Sequence, residues 1–336
     1  MAGSGVSVSL VTFNAAADVV ACLEALAAQT LRPLCVRVFD NASTDGTAEV
    51  VAAHFPEVRL YESPLNRGYA AAQNRGAALA HADGAQYVLF LTPDVVLAPD
   101  HLERLVGALD ADPGAASAGG KLLRPDGRTL DGAGIVASRA RHFRDRGQGE
   151  LDSGQYDDPG ASAPFAPCGA AVLHRLEALA DVAVGEEVLD ESFFAYKEDV
   201  DLAWRLRLRG WRLLHVPGAT ARHRRAAPYA SSAPGRRRSL AELRRARRAL
   251  SPVVRRLSAR NQLLVLLKNE HVRVLVSADA LRIVGRQLAL LGWALVFEPA
   301  TLVGCLGFLR RLPGALRRRW RFRRKVGHAV SRGWFR

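Results

Sequence analysis

Four times in its first hundred residues the chain passes from a short apolar run into a loop of turn-forming residues that begins with a carboxylate or carboxamide. "VSVSLVTFN" (6–14) leads to Asn14, and "CVRVFDNASTDGT" (35–47) turns at Asp40. "VRLYES" (58–63) with "PLNRGYA" reaches Asn66, and "QYVLFLTPDVVL" (86–97) reaches Asp94. Apolar residues recur at helical spacing after the first run (Val19, Val20, Leu23, Leu26), and helices over "AEVVAAHF" and "AAAQNRGAALAHA" follow the next two. Strands alternating with helices predict an α/β doubly wound sheet flanked by helices, in which ligands sit beyond the carboxyl ends of the strands. The four polar residues all fall at those ends.

The rest of the chain is less regular. Residues 113–165 are rich in Gly, Pro, Asp and Arg, which suggests long connections and a hairpin over the pocket. Regularity returns at "CGAAVLHRLEAL" (168–179) and holds through "FFAYKEDVDLAWRLRLRGW" (193–211) to "WRLLHVPGATARH" (211–223). Composition then changes. Residues 1–221 hold 19 Lys/Arg against 29 Asp/Glu, whereas residues 222–336 hold 28 against 4. The net charge of +14 therefore belongs to the tail, and two parts are expected: a catalytic domain over 1–225 and a basic helical extension over 226–336. Within the tail "GRRRS" reads as a flexible stretch and "AELRRARRALSPVVRRL" as amphipathic. The uninterrupted apolar run 288–297 has ten residues, short of the ~20 needed to span a bilayer. Glu298-Pro299 then breaks the pattern, so a shallow or hairpin-like segment flanked by arginines is expected on an anionic, cytoplasmic membrane face. Cys22, Cys35, Cys168 and Cys305 form no CxxC pair, and the first residues lack a basic segment followed by a long apolar one. Both point to a reducing cytosol.

Several residues carry candidate chemistry. Asp40 and Asp45 could accept hydrogen bonds from a nucleoside or simply close an Asx-turn. There is no GxGxxG, so a nicotinamide site has little support. Asn66-Arg67-Gly68 enters a helix whose free N–H groups and Arg67 could meet a phosphate, or serve as ordinary capping. Asp94 could hold a divalent cation, since Mg²⁺ and Mn²⁺ prefer oxygen ligands. Asp199 could act as a base or cap the helix from 200 onward; Asp201 reads as a surface or arginine-paired acid, Trp204 as core and His215 as structural. Phe193, Phe194 and Tyr196 could pack or stack on a sugar, with Tyr196 the pocket residue.

In order along the chain, "VTFN", "DNASTDGT", "NRGYAAAQNRG", "LTPDVVL", "FFAYKEDVDLAWRLRLRGW" and "HVPGATARH" resemble the family 2 glycosyltransferases of GT-A fold, especially bacterial rhamnosyltransferase-like members. The resemblance covers about residues 5–225. It implies inverting transfer of a sugar from a nucleotide-diphosphate donor, dTDP- or UDP-linked, to an acceptor hydroxyl. Thr12, Asn14, Asp40, Ser43 and Asp45 would then meet the nucleotide; Asn66, Arg67, Gly68, Asn74 and Thr92 would line the rest of the donor site. Asp94 would be the acid of a DxD-type metal motif, with His223 completing the coordination of Mg²⁺ or Mn²⁺. This sequence has Thr92 where many members carry Asp or Asn. Asp199 would be the base with Glu198 in support, kept ionised by a helix N-terminus. Gly169, Asp190, Glu191 and Tyr196 would serve the acceptor, a lipid-linked or cell-surface glycan.

Two other classes remain open on residues alone. Nucleotidyl transfer shares the nucleotide, the metal and the sheet, but "TFNAAAD" lacks the basic glycine-rich loop it calls for. Nucleic-acid binding through the arginine tail is not expected beside an acidic remainder.

Overall fold

A computed structural model describes residues 5–32, 34–158, 163–225 and 239–336. The first expected units are all present: β1 (Val6–Thr12), α1 (Ala16–Ala27), β2 (Cys35–Asp40), α2 (Thr47–His54), β3 (Arg59–Glu62) and α3 (Tyr69–Ala82). The apolar stretch 86–97 splits into β4 (Tyr87–Leu91) and β5 (Val95–Leu97), with Thr92 to Asp94 at the break. Then come α4 (His101–Ala111), β6 (Ala115–Leu123), β7 (Leu130–Gly132), β8 (Ile135–Ala137), β9 (Phe143–Asp145), β10 (Ala171–Arg175), α5 (Leu176–Val182), α6 (Glu198–Arg209) and β11 (Arg212–His223). The tail forms α7 (Leu240–Arg248), α8 (Pro252–Asn269), α9 (Ala278–Phe297), α10 (Pro299–Arg321) and α11 (His328–Arg332).

One mixed sheet runs in the order β3-β2-β1-β4-β10-β6-β11-β5, with β7 paired to β6. The strands from β3 to β4 are parallel, and β10 lies antiparallel between β4 and β6. Val8, Leu10, Leu89 and Leu91 are fully buried at its centre, with α1 and α4 covering one face. The pair β8-β9 supplies the hairpin anticipated within 113–165. The same region also holds a central strand that its composition concealed. β6, "AASAGGKLL", is almost wholly buried yet has none of the β-branched residues that mark strands. Its glycines explain the composition: a Cβ on Gly120 would lie 1.7 Å from the Ala219 carbonyl oxygen on β11.

The tail does not simply face outward. The start of "GRRRS" lies outside the described residues, but α8 packs against α6 and α10, and Leu264 and Val265 join a core cluster with residues of the sheet and of α3, α5 and α6. Phe335 is buried against Trp204 and Phe165, with ring centroids 5.1 and 5.6 Å away. Trp204 is core, as expected. Among the described residues one helix, α9, is long and apolar enough to cross a membrane by length and composition; its apolar side chains, with those of α10, are largely exposed.

Candidate active site

The loops after β1 and β2 are laced together at the sheet edge. Asp40 is buried and accepts from the Thr12 hydroxyl at 2.8 Å, the Ser43 hydroxyl at 2.5 Å and the Ser43 N–H at 2.8 Å. Ser43 in turn accepts from the Asn14 N–H, and the Asn14 carboxamide oxygen accepts from the Thr44 N–H. Asp45 accepts from the Ala16 N–H and from Thr47, bonds that hold its carboxyl below the usual range. Thr12 is fully buried, so it orients Asp40 instead of lying by a nucleotide itself.

The next loop is held by Asn66, whose side-chain oxygen accepts from the Gly68 N–H at 2.9 Å. Arg67 is exposed, and no described residue pairs with it. Gly68 has φ +87°, and a Cβ there would meet the Phe194 carbonyl oxygen at 2.5 Å. The Ala70 N–H donates to that same oxygen, so the Asn66–Gly68 loop interlocks with the acid-bearing loop before α6. Asn74 does not line this edge. It is buried, its amide pairing with both backbone groups of Leu189 and with Glu191, which corrects its assignment to the donor site.

Asp94 and His223 come together through the sheet register, which sets His223 of β11 opposite Val95 of β5. The imidazole Nε2 lies 3.2 Å from the Asp94 carboxylate, and Nδ1 lies 2.7 Å from Asp131. Thr92 donates to Asp94 at 2.7 Å, so its hydroxyl is spent on the carboxylate. Burial would raise Asp94, but the hydrogen bond and charge of His223, with Thr92, hold it down at about 2. Burial would likewise lower His223, yet Asp131 and Asp94 raise it to about 9. The donor set fits a hard divalent cation: one carboxylate, plus an imidazole oriented by a second carboxylate through its other nitrogen. Among the described residues no cluster of three or more acidic, His or Cys ligands exists, so substrate oxygens and water would supply the remaining positions.

The third component is the loop preceding α6. Phe194, Tyr196 and Lys197 all have positive φ, at 65°, 70° and 69°, an uncommon conformation for side chains of this size. It ends at Glu198 and Asp199 in the first turn of α6. Lys197 occupies the N-cap position without a side-chain cap, and Asp199 bonds only its neighbour, the Val200 N–H, at 2.7 Å; Asp199 is therefore not the helix cap. A Cβ on Gly169 would lie 2.6 Å from Asp199 Oδ2, so the small-residue stretch "PCGAAV" makes room for this carboxylate. Burial pushes Asp199 up despite the Val200 N–H and Lys197, and burial with the charge of Asp199 pushes Glu198 up. The expectation that the helix end alone keeps Asp199 ionised thus gives way to a coupled pair, and Glu198 Oε2 is buried without a partner. Tyr69 ties the groups together: burial raises its hydroxyl first, and the charges of Glu198, Asp199 and Asp94 add to the effect.

Two further assignments change. Asp190 is 3% exposed and ion-paired to Lys268 at 2.7 Å and Arg318 at 3.4 Å, so it stitches the tail to the loop and is not free to meet an acceptor. Asp201 is buried, not on the helix surface. It pairs with Arg205, the arginine partner anticipated, and also with Lys268 and Asn269. Glu191 and Tyr196 are exposed, and Phe193 is core. Sequence reasoning missed Asp131, Tyr69, Lys197 and Asn261. Asp131 sits in "TLDGAG", where a lone acid between glycines in an irregular region carries no signal until β7 meets β11.

The chain resembles known proteins in sequence and in fold. The family model described as glycosyl transferase family 2 matches residues 7–170. The N-acetylglucosaminyl-diphospho-decaprenol L-rhamnosyltransferase of Mycobacterium tuberculosis is 31% identical over 221 residues, covering 61% of this chain and 71% of that protein. The pre-mycofactocin glycosyltransferase of the same organism is 32% identical over 200 residues, covering 58% of this chain but 38% of its relative. Among solved structures, the mannosyltransferase of Pyrobaculum calidifontis in complex with GDP-Man and Mn²⁺ superposes with a TM-score of 0.52 at 20% identity, over 99% of this chain and 88% of that one. The TarS fragment 1–349 of S. aureus, solved with UDP, gives 0.51 at 16% identity over 87% and 75%. The fold is GT-A, and the chain belongs to glycosyl transferase family 2.

Proposed function

We propose that this glycosyltransferase is an inverting, cation-assisted hexosyltransferase. It would carry a sugar, with L-rhamnose from dTDP-L-rhamnose as the first candidate, to a hydroxyl of a lipid-linked glycan. The observation that carries the reading is the convergence on one sheet edge of Asp94–His223 and Asp199: Gly169 makes room for Asp199, and the next residue, Ala170, accepts from the Thr92 N–H beside Asp94. The acceptor hydroxyl would give its proton to Asp199 as its oxygen bonds to C1 of the donor sugar. The bond from C1 to the diphosphate breaks on the opposite face, and the nucleoside diphosphate leaves. Glu198, protonated beside Asp199, keeps the pair at a single negative charge. Asp94 and His223 would hold a Mg²⁺ or Mn²⁺ ion, which when bound offsets the charge of the diphosphate. Asp40, through Ser43, and the exposed Asn14 and Arg67 would meet the nucleotide. Acceptor recognition would fall to Tyr196, Glu191 and the space at Gly169.

The relative that acts on a diphospho-decaprenol supports a lipid-linked acceptor, and the exposed apolar residues of α9 and α10 amid arginines support attachment to an anionic membrane face. Residues 1–225 would thus carry the transfer and residues 226–336 the membrane contact. The test is a panel of nucleotide sugars with Mn²⁺ or Mg²⁺ and an N-acetylglucosaminyl-diphospho-lipid acceptor. Acceptor-dependent release of dTDP from dTDP-L-rhamnose is expected. Release from another donor alone would reassign the sugar, and release from none would overturn the reading.

A further inference from the structure

The tail encloses a groove of about 580 Å³ beside the acid loop, and its lining divides by chemistry. One wall is apolar: Leu263 of α8, Leu290, Leu291, Trp293 and Ala294 of α9, and Cys305 of α10. The end next to the acid loop is cationic, with Lys197, Arg286 and His142. Lys197 is two residues from Asp199 and stands 5.4 Å above the Phe143 ring, and no described carboxylate pairs with it or with Arg286. Two donors in this wall, Arg286 Nε and Gln287 Nε2, are buried without partners. His142 is pushed down to about 4, by burial first and then by Arg286, Lys197 and Arg144, so positive charge collects here.

Asp199, Asp145 and Glu198 offset Lys197 in part, but the Arg286 guanidinium beside it has no ion-pair partner among the described residues, and a cation so placed at one end of an apolar trough is costly unless something anionic completes it. Buried Lys268 of the same tail, by contrast, is matched by Asp190 and Asp201. We infer that this groove binds the acceptor's lipid phosphate: a diphosphate at Lys197 and Arg286, with its polyisoprenyl chain along the α8–α9–α10 wall toward the exposed Leu295 and Phe297. The inference rests on the lipid-linked reading above and adds its location. It places the phosphate next to Asp199, so the sugar beyond it enters the catalytic edge.

The test reads binding without transfer. Full-length protein is titrated with geranylgeranyl diphosphate, geranylgeraniol or inorganic diphosphate, and quenching of Trp293 is followed against a Trp293→Phe control. Saturable quenching by geranylgeranyl diphosphate is expected, weakened at least tenfold in Arg286→Gln and in Lys197→Gln, with melting temperatures unchanged. Leu291→Glu should weaken the lipid diphosphate and leave inorganic diphosphate alone. Equal affinity for geranylgeraniol, or binding indifferent to all three substitutions, would overturn the groove. Binding without any sugar transfer would leave the groove standing and refute the transferase substrate; transfer to a water-soluble acceptor without lipid binding would do the reverse.

Discussion

The two halves of the catalytic edge are held in different ways. The loops after β1, β2 and β4 satisfy themselves: Asp40 is closed by Thr12 and Ser43, Asp45 by Ala16 and Thr47, and Asp94 by Thr92 and His223. The acid loop meets Gly68 and Ala70 at Phe194 but is held in addition by a helix from the tail. Asn261 of α8 donates from one amide to the carbonyls of Phe193, Ala195 and Tyr196, and Arg260 donates to those of Ser192 and Phe193. Of the three left-handed residues Tyr196 is bonded directly, and Phe194 is bracketed by the bonded Phe193 and Ala195; clamp and loop both lie beyond the region that the family model covers. A loop of this kind persists only where its surroundings over-determine it. The basic tail is consequently part of how the carboxylates of Glu198 and Asp199 are positioned, besides carrying the exposed apolar residues of α9 and α10.

Breaking the external clamp at its buried ion pairs should cost most. Lys268→Ala removes the ammonium that Asp190 and Asp201 share, leaving them to Arg318, Arg205 and Asn269, and should lower stability by about 3 kcal/mol in denaturant melts. Asn261→Ala should cost about 1–3 kcal/mol and reduce kcat more than nucleotide affinity, because α8 bonds the acid loop directly, whereas the Asn66–Gly68 loop meets that loop at Phe194. Nucleotide affinity falling in parallel would show that the two halves are not separately held. Gly169→Ala pushes a methyl into Asp199 and should lower kcat more than the KM for the donor, at a stability cost of about 1–3 kcal/mol.

The smallest effect concerns pH. Burial raises Glu198 in the fold, so the neutral form is favoured there. Its contribution to stability is full below the ordinary carboxyl range and is lost as pH rises towards the raised value. Glu198→Gln should therefore unfold at higher denaturant than the parent at alkaline pH and show little difference near pH 4. The opposite ordering would mean that the carboxylate is satisfied by partners.

The contrast also explains what could be read in advance. Asn14, Asp40 and Asp94 announced themselves because strand ends are legible from apolar runs and turn residues, and their closing partners lie in neighbouring loops of the same kind. Asn74 misled because a carboxamide in a helix shows its spacing but not which way it faces, and here it turns to Leu189. β6 was hidden because alanines and glycines dictated by close strand approach look like loop composition. Asn261 was invisible for a stronger reason: it lies 65 residues or more from the carbonyls it holds. The tail's arginine content suggested only a charged surface, whereas pairing turns Lys268 and Arg318 inward.

Single-turnover transfer by Asp199→Asn, with nucleotide affinity measured on the same preparation, tests the central assignment most directly. The account predicts unchanged affinity and transfer slowed by about 10²–10⁴-fold, the range expected for losing a general base. Transfer at the parent rate would contradict it.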